Sequence, residues 1–525
     1  MRSTFMGLET AKRGMYTQQG ALYTTGHNIS NANTPGYTRQ RVNFEQTTPY
    51  PSPAMNRPQI PGQIGTGVEA GSIQRVRDSF LDTQYRGENQ KLGYWETKME
   101  AMKKMEEVMN EPSDSGLSKT MDMFWQSLQD LAVNPSNSGA RSVVVERGKA
   151  VAETFNYLSS SLTSVRSDLK NELSVSEKQI NSLSRQIDNI NKQIADVEPH
   201  GYLPNDLYDE RDRLIDELSQ HVSIQTSYQS NGGASSPIAE GAVTVTLVGK
   251  DGNLAVNLVG KSGVNELKLT YGGPQNTLDT VSIGSQTLDV NDFLSQGEGK
   301  LKALIDTYGF KNKDGEAEGS YISMLGELDS MAYEFAKAFN DQHQQGFTPE
   351  QMNDPNFDPD TDTPDTPKFF QDGKNTAADL DGVEKAGFAQ RIQVSKDMSN
   401  LDNIATAGAD NPTLGDASNV LALANIITTT KLPYGEKEAS FQSHFESVIG
   451  KMAVESQESV RLASNSGVLR GAVDERRMSV SGVSLDEEMT DMIKFQHAYN
   501  ASARMISLQD EMLDKIINGM GTVGR

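Results

Sequence analysis

Hydrophobic positions recur every seventh residue at the start of the chain, at Met1, Leu8, Met15, Leu22 and Ile29, with Phe5 and Ala11 beside them. This spacing predicts a helix of about four heptads whose apolar stripe (Met1, Phe5, Leu8, Met15, Leu22, Ile29) is an assembly surface. The helix should stop within Asn28, Ile29, Ser30, Asn31, Ala32, Asn33, Thr34, Pro35, Gly36 and Tyr37. Asn, Ser and Thr side chains there compete for backbone hydrogen bonds, and Pro35-Gly36 fits the centre of a type II turn. From Arg39 to Gly71 the chain is rich in Pro, Gly, Gln and Thr and reads as extended.

Helical spacing then returns. Trp95, Met99, Met102 and Met109 mark one helix, and Leu117, Met121, Phe124, Leu128 and Leu131 a second. A much longer one runs from about Ala140 to Val197, through Phe155, Leu162, Leu169, Ile180, Ile187 and Ile194, until Pro199-His-Gly201 breaks it. Leu207, Leu214 and Leu218 resume the stripe. After His221 the period falls to two, in Val222–Tyr228, Val243–Val248, Leu254–Val259 and Glu266–Tyr271, so strands are expected with turns between them. A helix follows over Ser320–Gln344, and others from Asn419 and over Phe441–Leu469.

The last helix carries the clearest start signal. Ser484-Leu-Asp-Glu487 reads as a capping box, and Asp486, Glu487 and Glu488 suit the positive end of the helix dipole. Its stripe is Leu485, Met489, Met492, Phe495, Tyr499, Ala503, Ile506, Leu513 and Ile517. A single amphipathic helix in water buries none of such a stripe. Both ends are therefore expected to be mobile alone and to order on assembly.

The fold class that follows is α+β and multi-domain, with long coiled-coil-like helices and an inserted small β-rich domain. Residues 1–80 with 476–525 are expected to form a terminal assembly domain. Residues 81–221 with 301–345 and 396–475 should make a helical rod, and 222–300 with 346–395 a β-rich domain.

Charge and chemistry narrow the function. A net charge of −23 argues against nucleic acid and anionic membranes as partners. It is unevenly spread: residues 1–41 hold five Lys or Arg and one acid, whereas 484–525 hold seven acids and four bases. Two ends of opposite sign can pair, though solvated helix faces explain the same charges. Cysteine is absent, which removes disulfides, thiol nucleophiles and thiolate metal sites, and six scattered histidines offer little for zinc. No run reaches the length of a transmembrane span, and the first ten residues lack a secretory apolar region.

Several motif-like stretches read as ordinary structure. Gly62-Gln-Ile-Gly-Thr-Gly67 lacks the strand–turn–helix setting of a dinucleotide site. Gly260-Lys-Ser262 would need a glycine where Ala255 stands. Asp358, Asp360 and Asp362 imitate a calcium loop, but Thr363 and Phe369 replace its glycine and terminal acid, so 346–367 reads as an acidic surface loop. His27 has no nearby acid to orient it and His497 lies on the last helix, so both read as structural. No catalytic or metal constellation emerges and no cofactor is implied; the chain reads as non-enzymatic.

The segment Asn28 to Tyr37 resembles the N-terminal motif of the bacterial flagellar axial proteins, the family of rod, hook and hook-associated subunits. Gly65-Thr-Gly-Val68 with Ile73, Arg75, Asp78, Phe80 and Leu81 is similar to the next block of that family. Ser479 to Met489 with Phe495, Gln496 and Tyr499, and Leu207-Tyr-Asp-Glu-Arg-Asp-Arg213, resemble its hook-associated members. The resemblance implies a structural subunit of the flagellum at the hook–filament junction, exported without a cleaved signal peptide by the flagellar type III apparatus. It implies terminal helices packed in the axis, with the rod and β domain further out. The implied partners are copies of itself in a ring or helical layer, the hook protein, a second junction protein or filament, and an export chaperone bound by the helix from Leu485 to Ile517. Two rival readings stand beside this: another rod or hook component, or a secreted adhesin acting through its β domain.

Overall fold

In the computed structural model the described residues are all but 1–4, 54, 56–57, 59–60, 112, 114–115, 249–254, 295–296, 356, 359–362, 375–379, 411, 436 and 520–525. The helices are α1 (Phe5–Ser30), α2 (Ser79–Met109), α3 (Leu117–Val133), α4 (Ser138–Val197), α5 (Asn205–His221), α6 (Val290–Leu294), α7 (Lys300–Tyr308), α8 (Ser320–His343), α9 (Pro349–Met352), α10 (Ser418–Thr428), α11 (Phe441–Ser481) and α12 (Leu485–Gly519). The chain forms two compact units: residues 1–90, 180–266 and 466–525, and residues 91–179 and 267–465. Helices α2, α4 and α11 supply residues to both.

The first unit holds two sheets. Strands β1 (Gln40–Gln46) and β2 (Val68–Arg75) pair antiparallel, with a bulge between Asn43 and Phe44. The second sheet runs in order β3 (Ile224–Gln229), β4 (Ala242–Val248), β5 (Ala255–Gly260), β6 (Gly263–Val264). Strand β4 alternates buried and half-buried residues along its length, as a strand with one face on a core must. Val243 and Val245 are buried there, as are Ile187 and Ile194 of α4 and Leu214, Ile215 and Leu218 of α5. The break after Val197 is a short 3₁₀ turn closed by Gly201 at φ 85°, a conformation that favours glycine.

The second unit is built on aromatic packing. Phe124, Phe335, Phe339, Phe369 and Phe370 are all buried, with ring centroids 4.9 Å apart for Phe369–Phe370 and 5.5 Å for Phe124–Phe339. Gly148 of α4 permits this packing, because a Cβ there would lie 2.7 Å from the Phe369 ring. Its main sheet runs β11 (Ala317–Glu318), β10 (Phe310–Lys311), β8 (Thr277–Ile283), β7 (Leu267–Gly272), with β9 (Gln286–Asp289) also on β8. Period-two alternation identifies strands without saying which core each sheet covers, and the sheet of β3–β6 and that of β7–β11 fall in different units. Asp358 is exposed; Asp360 and Asp362 lie outside the described residues.

Candidate functional site

Helices α1 and α12 pack antiparallel along a seam of small residues. A Cβ on Gly7 would lie 2.9 Å from Gln509, and one on Gly14 would lie 3.2 Å from the Ser502 hydroxyl. Further along, Asn28 Nδ2 donates to Glu488 at 3.0 Å. These pairs step by sevens in opposite directions on the two helices, which is one register, and it sets buried Ala21 opposite Phe495. Small side chains let the two backbones approach closely.

The sequence-derived apolar stripe lies one residue away from this seam. Leu8, Met15, Leu22 and Ile29 are half-buried along its flank, as are Met492, Tyr499, Ala503, Ile506 and Leu513, while Phe495, also half-buried, lies in the seam itself. Phe5, Leu485, Met489 and Ile517 are exposed, and Met1 lies outside the described residues. The fully buried positions of α1 are instead Thr17, Ala21, Thr24, Thr25 and Asn28. Hydrophobic period found the flank, while glycine and alanine fill the α1 side of the seam, and Thr17 donates instead to the Val68 carbonyl of β2.

Asn28 is the hub where α1, the turn and α12 meet. Its Oδ1 accepts from the Gln40 backbone N–H at 3.0 Å and from the Tyr37 hydroxyl at 2.8 Å; its Nδ2 also donates to the Gln40 carbonyl at 2.8 Å. All of the amide's polar capacity is thus directed by local backbone and Glu488. Around it, Asn31 donates to the His27 carbonyl and Thr34 to Asn31 Oδ1. The Tyr37 N–H bonds the Thr34 carbonyl at 3.2 Å with Gly36 at φ 82°, the geometry of a type II turn about Pro35-Gly36. His27 meets the Tyr37 hydroxyl at 2.9 Å. Burial, then Asp206, Asp209 and Glu488, push the Tyr37 phenol well above its usual range. Ser30, Asn33 and Pro35 are exposed and Ala32 is half-buried.

Arg39 ties the same turn to the start of α12. Its guanidinium meets Glu488 at 2.6 Å and Glu487 at 2.5 Å, and its N–H donates to the Ser481 carbonyl. Glu487 therefore points to Arg39, where the sequence reading had it close a capping box. Glu488 is 2% exposed, and it faces Arg39 on one oxygen and Asn28 on the other.

Behind the turn lies a buried ionic cluster that sequence reasoning missed. Asp209, Asp212 and Asp216 recur on one face of α5, a spacing of three and four that signals a shared face. Arg75 meets Asp209 at 2.7 Å and Asp212 at 3.0 Å; Arg77 meets Asp82 at 2.6 Å; Arg86 meets Asp216 at 2.7 Å. Arg477 of α11 joins at Asp216, also at 2.7 Å. Burial pushes the Asp212 carboxyl up, but Arg77, Arg75, Arg86 and Arg211 outweigh it and hold the group well below the usual carboxylate range. The Thr38 N–H donates to Asp209, linking the cluster to the turn. Among the described residues no group of three or more acids or histidines could hold a metal ion, and no helix is long and apolar enough to cross a membrane.

Such an arrangement fixes backbone position. An amide hub and charge-paired side chains hold α1, the turn and α12 together, and α12 carries several exposed large apolar side chains.

Residues 102–357 match the helical domain of the flagellar hook-associated protein FlgK, residues 475–519 the C-terminal region of flagellar basal body rod proteins, and residues 8–38 the flagella basal body rod protein family. A flagellar hook-associated protein 1 of Bacillus subtilis (strain 168) is 45% identical over the full length of both chains. That of Escherichia coli (strain K12) is 25% identical, covering 97% of this chain and 99% of the other. The flagellar hook junction protein FlgK from Burkholderia pseudomallei shares the fold, with a TM-score of 0.58 at 13% identity over 76% of this chain and 100% of that one.

Proposed function

The chain belongs to the flagellar hook-associated protein 1 family and is a structural component of the bacterial flagellum, and from that premise we propose that it joins hook to filament by helix packing at α1 and α12. The observation that carries this reading is the apolar surface of α12 outside the seam. Met489, Ile493, Met505, Leu508 and Met512 are all exposed, off the line of Glu488, Phe495, Ser502 and Gln509 that faces α1, and Ile516 is exposed beyond the last seam pair. An apolar stripe left open on a protein of net charge −23 marks a surface meant for partners.

The partners are further copies of the chain in a ring or helical layer, the hook protein on one side, and a second junction protein or the filament on the other. The layer so formed serves as a template for filament growth, without catalytic turnover. Export follows the flagellar type III route, and before assembly the same α12 stripe is the binding surface for an export chaperone. The tested arrangement is a deletion strain complemented with Met505→Asp/Met512→Asp. Hooks without filaments and flagellin free in the medium are expected, and normal filaments would refute the role of this face.

A further inference from the structure

Arg75 and Arg211 hold one carboxylate between them, and that carboxylate comes from a loop. Glu240 pairs with Arg75 and, at 2.5 Å, with Arg211. The two arginine side chains are 4% and 0% exposed, whereas Glu240 is 32% exposed, the highest of the cluster's acids. Both guanidiniums stand against the face of Tyr208, with centroid distances of 5.1 and 5.2 Å. The Nε of each is buried and makes no hydrogen bond among the described residues. Two buried cations thus share one acid from the solvent side and still have donors to spare.

The loop that brings Glu240, residues 230–241, is made of small and turn-forming residues, with Gly232, Gly233 and Gly241 at positive φ. Besides Glu240 its side-chain anchor is Asn231, which donates to Glu198 at 2.6 Å. Beneath it is a cavity of about 500 Å³ lined by Arg75, Arg77, Tyr208, Tyr228, Ile238 and Glu240, among others. A carboxylate entering there meets the Arg75 guanidinium, aromatic walls and space for the few atoms that carry it, and it reaches Arg211 only at the place Glu240 now holds.

We propose that Arg75 and Arg211 form a carboxylate-binding site which the chain fills with its own Glu240, and which a carboxylate-bearing segment of an acidic polypeptide fills in exchange when the loop lifts. The occupant must bear the carboxylate, because Arg75 keeps Asp209 and Asp212 when Glu240 leaves, whereas buried Arg211 is left with the Gly241 carbonyl, and a buried charge without its acid is strongly destabilised. The self-supplied acid competes with any incoming one, so apparent affinity is lowered by the fraction of time the loop is closed.

The experiment uses the full chain. Acetate and a glutamate-containing tetrapeptide are titrated by ligand-observed NMR against wild type, Glu240→Ala and Glu240→Ala/Arg211→Met, with chloride matching ionic strength. Glu240→Ala should bind both probes about tenfold or more tighter than wild type, and the added Arg211→Met should abolish the gain. A tetrapeptide stronger than acetate identifies a polypeptide source, and equal strength a free acid. Equal binding by wild type and Glu240→Ala, or a gain that survives Arg211→Met, overturns the proposal. Should Glu240→Ala not fold, amide exchange of 230–241 in wild type decides. Acetate must speed it relative to chloride, and identical exchange in the two salts also overturns the site.

Discussion

Gly14 tests whether the seam between α1 and α12 works as described. Replacing a mid-helix glycine by alanine removes backbone freedom and favours the helix by about 1 kcal/mol. Here the new Cβ would lie 3.2 Å from the Ser502 hydroxyl, with the Ser502 Cβ at 4.0 Å. A hydroxyl can rotate away by a few tenths of an ångström, so Gly14→Ala should leave the pair as stable as wild type or slightly more so. Leucine cannot use that freedom. Its γ and δ carbons must enter a space already held by Ser502 and its neighbours, and overpacking of this kind costs about 1–3 kcal/mol. The two variants therefore differ in sign. Local opening is read by amide exchange of peptides from α1 and α12, because a global melt would mix the two units. A loss of about 2 kcal/mol is about a thirtyfold rise in exchange in both helices together. Ser502→Gly added to Gly14→Leu should recover part of the loss, and Ser502→Gly alone should not mimic it. Equal protection in Gly14→Leu and wild type would refute the close seam.

Other perturbations follow from the same contacts. Asn28→Asp sets a carboxylate against Glu488 and the Gln40 carbonyl, and an uncompensated buried charge costs about 3–5 kcal/mol; faster proteolysis between residues 28 and 40 is the readout. Arg141 is buried and donates to the carbonyls of Pro135, Leu401 and Ile404, so Arg141→Met strands several acceptors at about 1–3 kcal/mol each. Urea unfolding followed at the second unit should show it. His343 is wholly enclosed, donating to the Pro367 carbonyl and accepting from the Ala405 N–H, and burial lowers its pKa from 6.5 to about 4. The unfolded chain takes the proton first, so stability is complete above pH 6.5 and is lost as pH falls towards 4, by about 3 kcal/mol in all. A pH series of urea midpoints that stays flat between 6.5 and 4 would contradict the buried neutral ring.

The secondary structure was largely legible in the sequence. The long helix ends at Val197 as its spacing predicts, and the four period-two segments after His221 each coincide with a strand. The turn at Pro35-Gly36 was also readable, because proline and glycine there restrict the backbone directly. What escaped depends on partners distant in sequence. Gly7, Gly14 and Ala21 carry little hydrophobic signal, and the apolar heptad positions Leu8, Met15 and Leu22 stand one residue away. Glu487 has the spacing of a capping acid, but Arg39, more than 400 positions away, takes its carboxylate. Asp209, Asp212 and Asp216 lay on one predicted helix face, yet nothing local says that four arginines from other segments converge on them.

The off-by-one seam carries the functional argument further than the predicted stripe did. Had Leu8, Met15, Leu22 and Ile29 met Met492, Tyr499 and Ile506 head-on, α1 and α12 would consume their apolar surface on each other. Instead small residues bring the backbones together, and among the described side chains of α12 Glu488 alone is fully buried. Specificity within the chain rests on polar groups, Asn28, Arg39 and Glu488, which reject a shifted register because each would be left unpaired. The larger apolar side chains, half-buried on the flanks or exposed at Met489, Ile493, Met505 and Leu508, remain free to drive association. A pair constructed this way sets its own register cheaply and gains most of its stability only against neighbours. That is the behaviour a junction subunit needs, because it must stay single until it reaches the end of the hook.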